Sequence, residues 1–125
     1  HLWYTIAVDK EQRQPILNVF FYRTNAGNEP VREWLKSLNR EDKRTIGEDI
    51  KTAQFGWPLG MPLLRKLEHG LWEARSNTTQ GITRVLFTVN KNTMILLHGF
   101  VKKSQKTPPI ELNTARRRLA DLEKE

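Results

Sequence analysis

The chain has 125 residues, enough for one domain with its own apolar core and no disulfide or metal staple. It carries 21 lysines and arginines against 14 aspartates and glutamates, for a formal net charge of +7 and a pI near 10.0. The absence of cysteine excludes a disulfide scaffold, a thiolate zinc site and a cysteine nucleophile. No apolar run approaches the ~18–20 residues of a membrane-spanning helix, and the basic excess points to a polyanionic partner.

Residues 1–16 read as an N-terminal extension with no assignable role. They lack the basic-then-apolar pattern of a signal peptide, so a cytoplasmic location is expected. Asn18 to Arg23, rich in aromatic and β-branched types, predicts a strand. Asn25 to Asn28 predicts a turn, with Asn28 as helix N-cap and Pro30 in the first turn. Val31, Trp34, Leu35 and Leu38 then fall on one helical face, and Ile46, Ile50 and Ala53 on one face of a second helix. Asn39 ends the first or caps the second, and Gly56 and Pro58 stop the second. The short connection predicts an antiparallel helical hairpin.

Residues 57–70, with prolines at 58 and 62, read as a loop. Leu71 to Ser76, Ile82 to Val89 and Met94 to Val101 then predict an antiparallel three-stranded meander. The third strand is almost continuously apolar and is expected to be central and buried on both faces. Thr107 is the expected N-cap of a last helix, with Pro108 at its first position. Leu112, Ala115, Leu119 and Leu122 form that helix's apolar stripe. The expected fold is a single α+β domain of order β-α-α-β-β-β-α, an antiparallel sheet with the hairpin on one face.

The charge is unevenly placed. Residues 1–64 hold nine basic and eight acidic groups, whereas residues 65–118 hold eleven basic and three acidic. Arg75 and Arg84 flank a short turn, so antiparallel pairing brings two guanidiniums together, and an anion or a carboxylate must relieve their repulsion. Lys102, Lys103 and Lys106 follow the third strand. Convergent arginine forks and lysine point charges suit a phosphodiester. Glu73 and Glu111 are the carboxylates within reach that offer a purely structural pairing. The three histidines, His1, His69 and His98, have no metal-ligand spacing, and neither a phosphate-binding glycine loop nor a nucleophile elbow is present, so no metal or cofactor is expected. Strand alternation puts His98 on the face of Leu96 and Phe100, either as a core residue or as an acid–base group. Arg116, Arg117 and Arg118 form a basic run on the last helix. Trp34, Trp57 and Trp72 are expected in the core.

Three segments carry a family resemblance: Leu71-Trp-Glu-Ala-Arg75, Gly81-Ile-Thr-Arg84-Val-Leu-Phe87 and Leu96-Leu-His-Gly-Phe100-Val-Lys-Lys-Ser-Gln-Lys-Thr-Pro108. Together they resemble the HigB-type, phage-related branch of the RelE/ParE toxin superfamily, over residues 17–120. The resemblance implies the toxin of a type II toxin–antitoxin pair, held inactive by a HigA-like helix-turn-helix antitoxin. It further implies a metal-independent endoribonuclease that enters the ribosomal A site and cuts mRNA, with no membrane partner. On this sequence Arg75, Arg84, Lys102, Lys103 and His98 take the catalytic positions. Arg65, Lys66, Lys106, Arg116 and Arg117 are the expected RNA contacts. The last helix and its preceding loop hold neither the Tyr nor the His that several superfamily members use as acid or base. A ParE-like gyrase inhibitor of the same fold and a non-toxic basic RNA- or protein-binding module are the competing readings.

Overall fold

The computed structural model describes residues 14–58, 60, 62–102 and 106–124. Its elements are β1 (Asn18–Phe21), α1 (Pro30–Ser37), α2 (Arg40–Gly56), β2 (Leu64–Glu68), β3 (Leu71–Thr78), β4 (Gly81–Asn90), β5 (Thr93–Val101) and α3 (Pro109–Glu123). The α+β class is as expected, but the order has one more strand than the sequence reading. β2 lies inside the segment read as a loop. Its only apolar residues, Leu64 and Leu67, face opposite sides of the sheet and join different cores. A strand with one anchor per face shows no period-2 pattern, and the flanking prolines mask it further.

The five strands form one sheet in the order β1-β5-β4-β3-β2. β1 runs parallel to β5 and the other pairings are antiparallel, so the sheet is mixed rather than antiparallel. The two helices carry the chain from β1 at one edge to β2 at the other. β5 is interior, as its apolar run requires. The β3–β4 turn is tighter than expected, since Asn77 and Thr78 already pair with Ile82 and Gly81.

Each face of the sheet has its own core. On one, Val31, Ile46, Ile50 and Ala53 of the first two helices pack on Leu64, Ala74, Val85, Phe87, Met94 and Leu96. Trp34, Trp57 and Trp72 join this core, and Trp57 meets Trp72 edge-on at 4.7 Å. On the other, Ala115, Leu112, Leu119 and Leu122 of α3 pack on Leu71, Leu86, Leu97 and Phe100.

A bulge makes this division possible. The β4–β5 register slips between Leu86 and Phe87, so Leu86 opposes His98 while Phe87 opposes Leu96. Leu97 is the extra residue, and the side-chain phase flips across it. His98 therefore lies with Phe100, stacked at 5.6 Å, while Leu96 belongs to the opposite core. Strict alternation, which puts all three together, fails at this point.

The helix ends follow local chemistry. Asn39 caps α2, its side chain accepting from the Asp42 N–H at 2.8 Å. Glu29 rather than Asn28 precedes α1, with Pro30 at its first position. Pro108 rather than Thr107 precedes α3, and Pro109 is the first helical residue. Thr107 is used elsewhere. Asp42 is buried and accepts from the Thr79 N–H at 2.9 Å and the Thr79 hydroxyl at 2.7 Å, fastening α2 to the β3–β4 turn.

A methyl group at Gly99 would sit 2.3 Å from the Trp34 indole, so Gly99→Ala must displace that ring from its packing on β5. The expected cost is about 1–3 kcal/mol in chemical denaturation. The bonds from Thr79, its backbone N–H foremost, hold the Asp42 carboxyl below its ordinary 3.8, against the opposing effect of burial. A depressed folded value means stability present above pH 3.8 and lost as pH falls through the folded value. Asp42→Asn should flatten that acid limb, and a urea series between pH 2 and 5 reads it directly.

Candidate nucleic-acid interface

One face of the sheet changes character along its strands. Leu71 and Leu86 lie in the α3 core, and moving up β3 and down β4 on the same face brings Glu73, Arg75 and Arg84. Cross-strand pairing sets Arg65 opposite Glu73, Arg75 opposite Arg84, and Arg84 opposite Phe100. Lys102, just past β5, donates its backbone N–H to Ile82 O at 2.7 Å and so continues the ladder. Four cations thus gather across adjacent strands around one carboxylate.

Glu73 is completely buried, and both its oxygens are used. Oε1 pairs with Nη1 of Arg84, and Oε2 accepts from the Thr107 hydroxyl at 3.0 Å. Thr107 is thereby diverted from capping and ties the entry of α3 to β3. Arg84 is 1% exposed, and its Nε has no partner. Of the two roles the sequence leaves open to Arg84, the structural tie to Glu73 is present. The repulsion of paired guanidiniums is relieved by this carboxylate, as the spacing requires.

The electrostatic consequences reach Lys102. Burial lowers its pKa most, and the charges of Arg84, Arg75 and Arg65 lower it further, while Glu73 opposes them. Burial likewise lowers the Arg84 pKa, with Glu73 opposing and Arg75 and Arg65 adding. Arg75 is half-buried and Arg65 is exposed, so both remain open to a ligand.

The remaining expected residues divide. Lys66 lies on the opposite face of β2 from Arg65, 5.7 Å over the Trp72 ring. Lys106 is exposed just before α3. Lys103 lies outside the described residues. Arg116 grips Glu68 through two nitrogens at 2.7 and 3.0 Å, joining α3 to β2. Arg117 is exposed, whereas Arg118 turns inward and donates to Leu97 O at 2.7 Å. His98 is held at both ring nitrogens. Arg118 donates to Nδ1 at 3.3 Å, which leaves Nε2–H to donate to Glu111 at 2.9 Å. The second expected carboxylate, Glu111, thus serves the histidine rather than a lysine. His69 is exposed in the β2–β3 turn. Among the described residues no three His, Asp or Glu side chains form a group that could hold a metal ion, and no helix is long and apolar enough to cross a membrane.

The sequence alone missed the role of Thr107, whose place before two prolines gives a strong capping signal. The long-range bond to Glu73 has no local signature.

Removing the Arg84 guanidinium strands a buried carboxylate, so Arg84→Ala should cost about 3–5 kcal/mol. Arg75→Ala removes a half-exposed charge and should stay within about 0.5 kcal/mol. Paired denaturant titrations of the two variants measure the contrast.

No curated protein matches the chain. A family model, Phage derived protein Gp49-like (DUF891), matches residues 33–120, which contain all three motif segments and every cation of this face. With most of its length covered by that match, the chain belongs to the Gp49-like family of phage-derived proteins, a family associated with RelE/HigB-like toxins.

Proposed function

We propose that this protein is a HigB-type toxin of a type II toxin–antitoxin pair and cleaves mRNA on the ribosome. The observation that carries this reading is the row of Arg65, Arg75, Arg84 and Lys102 around a single buried carboxylate. Arg65, Arg75 and Lys102, with the buried Arg84 charge behind them, suit the phosphate backbone of one RNA strand. Family membership is consistent with it.

In the proposed reaction the ribose 2′-oxygen attacks the adjacent phosphorus and the P–O5′ bond breaks. The products are a 2′,3′-cyclic phosphate and a 5′-hydroxyl end. Arg75 and Arg65 bind the phosphate and offset the charge that builds on its oxygens. Arg84 acts from behind the surface, as a fixed positive charge that Glu73 holds in place. The Lys102 amine takes the 2′-OH proton, and its lowered pKa suits it to that task. The departing 5′-oxygen takes a proton from water or from an ammonium of the same loop, Lys103 or Lys106. His98, committed to Glu111 and Arg118, serves as a strut rather than as the base. The ribosome holds the mRNA and supplies part of the positioning. A HigA-like antitoxin inhibits by covering the same cationic face.

The test is to add purified protein to translating ribosomes and map mRNA ends. New 5′-hydroxyl ends are expected, and intact mRNA would refute the nuclease reading. Lys102→Arg keeps the charge but removes the base, so cleavage should fall at least about 10²-fold while RNA binding persists. For the native protein the cleavage rate should rise with pH and level off below lysine's ordinary 10.5.

A further inference from the structure

A cavity of about 260 Å³ opens beside Arg75, lined by Asp49, Pro62, Leu63, Arg75, Asn77 and Ile82. It sits where β2 stops covering β3. Pairing with β2 begins at Leu64 and Ala74, and the Arg75 N–H still reaches Leu63 O at 2.9 Å, but Asn77 lies past that cover. On the far side Asn77 pairs with Ile82 of β4. Asp49 comes from α2, one turn after the core residue Ile46, and is half-buried.

Two charged groups in this cavity are unspent. Among the described residues neither Asp49 nor Arg75 has an ion pair or a side-chain hydrogen bond. They line the same space yet stand farther apart than the 4.0 Å of an ion pair. A half-buried carboxylate beside a phosphate-binding row is unfavourable for RNA unless it meets a donor. The complementary ligand therefore carries an anion at one end and hydrogen-bond donors at the other, with a flat apolar body between. A nucleotide has that form.

We propose that this cavity is a guanine subsite, with Asp49 reading the base and Arg75 holding its phosphate. The proposal rests on the RNA-cleaving reading above. A carboxylate presents two acceptors side by side, and the guanine N1–H and N2–H₂ present two donors at matching spacing. Adenine and cytosine put a ring acceptor beside their single amino donor, which repels the second oxygen. Uracil offers one N–H between two carbonyls. Pro62, Leu63 and Ile82 supply the apolar walls for the ring.

The test uses the full chain and five-nucleotide RNAs with 2′-O-methyl riboses, which cannot be cut. One carries a single guanine, and the other has inosine there, lacking only the N2 amine. Fluorescence anisotropy should give about tenfold tighter binding to the guanine RNA. Asp49→Asn and Asp49→Ala should abolish that ratio, with unchanged denaturation midpoints showing that both are folded. Arg75→Ala should weaken both RNAs and keep the ratio. Equal binding of the two RNAs by the native protein overturns the guanine subsite alone. Failure to bind either overturns it together with the RNA reading. Survival of the ratio in both Asp49 variants removes Asp49 from the assignment.

Discussion

The structure turns on one buried carboxylate. Glu73 has no access to water, and a charge in that position is tolerated only when fully paired. Arg84 pairs with it from the neighbouring strand and Thr107 from the approach to α3. The same group therefore fixes two strands and the start of the C-terminal helix. It also lets a guanidinium sit inside the fold, where its charge reaches Lys102. The surface chemistry proposed for this face depends on that interior pair. Without Glu73, Arg84 would be an unpaired buried cation, and the row would lose its middle.

The sheet supplies the other constraint. On one face, β3 and β4 pass from apolar residues at Leu71 and Leu86 to charged ones at Arg75 and Arg84. The apolar part packs against α3, and the charged part lies beyond that packing. The bulge at Leu97 makes this work on β5, since it shifts the phase so that His98 and Phe100 fall on the α3 side. His98 then bridges β5 and α3, with its ring nitrogens engaged by Glu111 and Arg118. Gly99 serves the opposite face, where the Trp34 ring lies against the strand backbone.

Much of this was legible in the residues. The helical stripes of α1, α2 and α3 predicted their buried faces, because amphipathic periodicity reports burial directly. The apolar run of β5 marked a central strand. The approach of Arg75 and Arg84 followed from turn length alone. Features set by distant partners were not legible. β2 has one anchor on each face, β1 pairs in parallel with a strand remote in sequence, and Thr107 leaves its helix to bond Glu73. The face of Lys66 could not be known without β2, and once β2 is placed it separates Lys66 from Arg65. Asp49 carries no motif, and only the cavity it lines singles it out. The family match spans the same three segments that carry the resemblance to HigB-type toxins.

The central claim is that one face, rather than diffuse positive charge, engages an RNA backbone. The salt dependence of single-stranded RNA binding tests it most directly. Each phosphate contact contributes about −0.7 to the slope of log K against log salt concentration. Arg65→Ala and Arg75→Ala should each reduce the magnitude of the slope by about that amount, and Lys66→Ala, on the opposite face of the same strand, should leave it unchanged. An equal loss from Lys66→Ala would contradict the account.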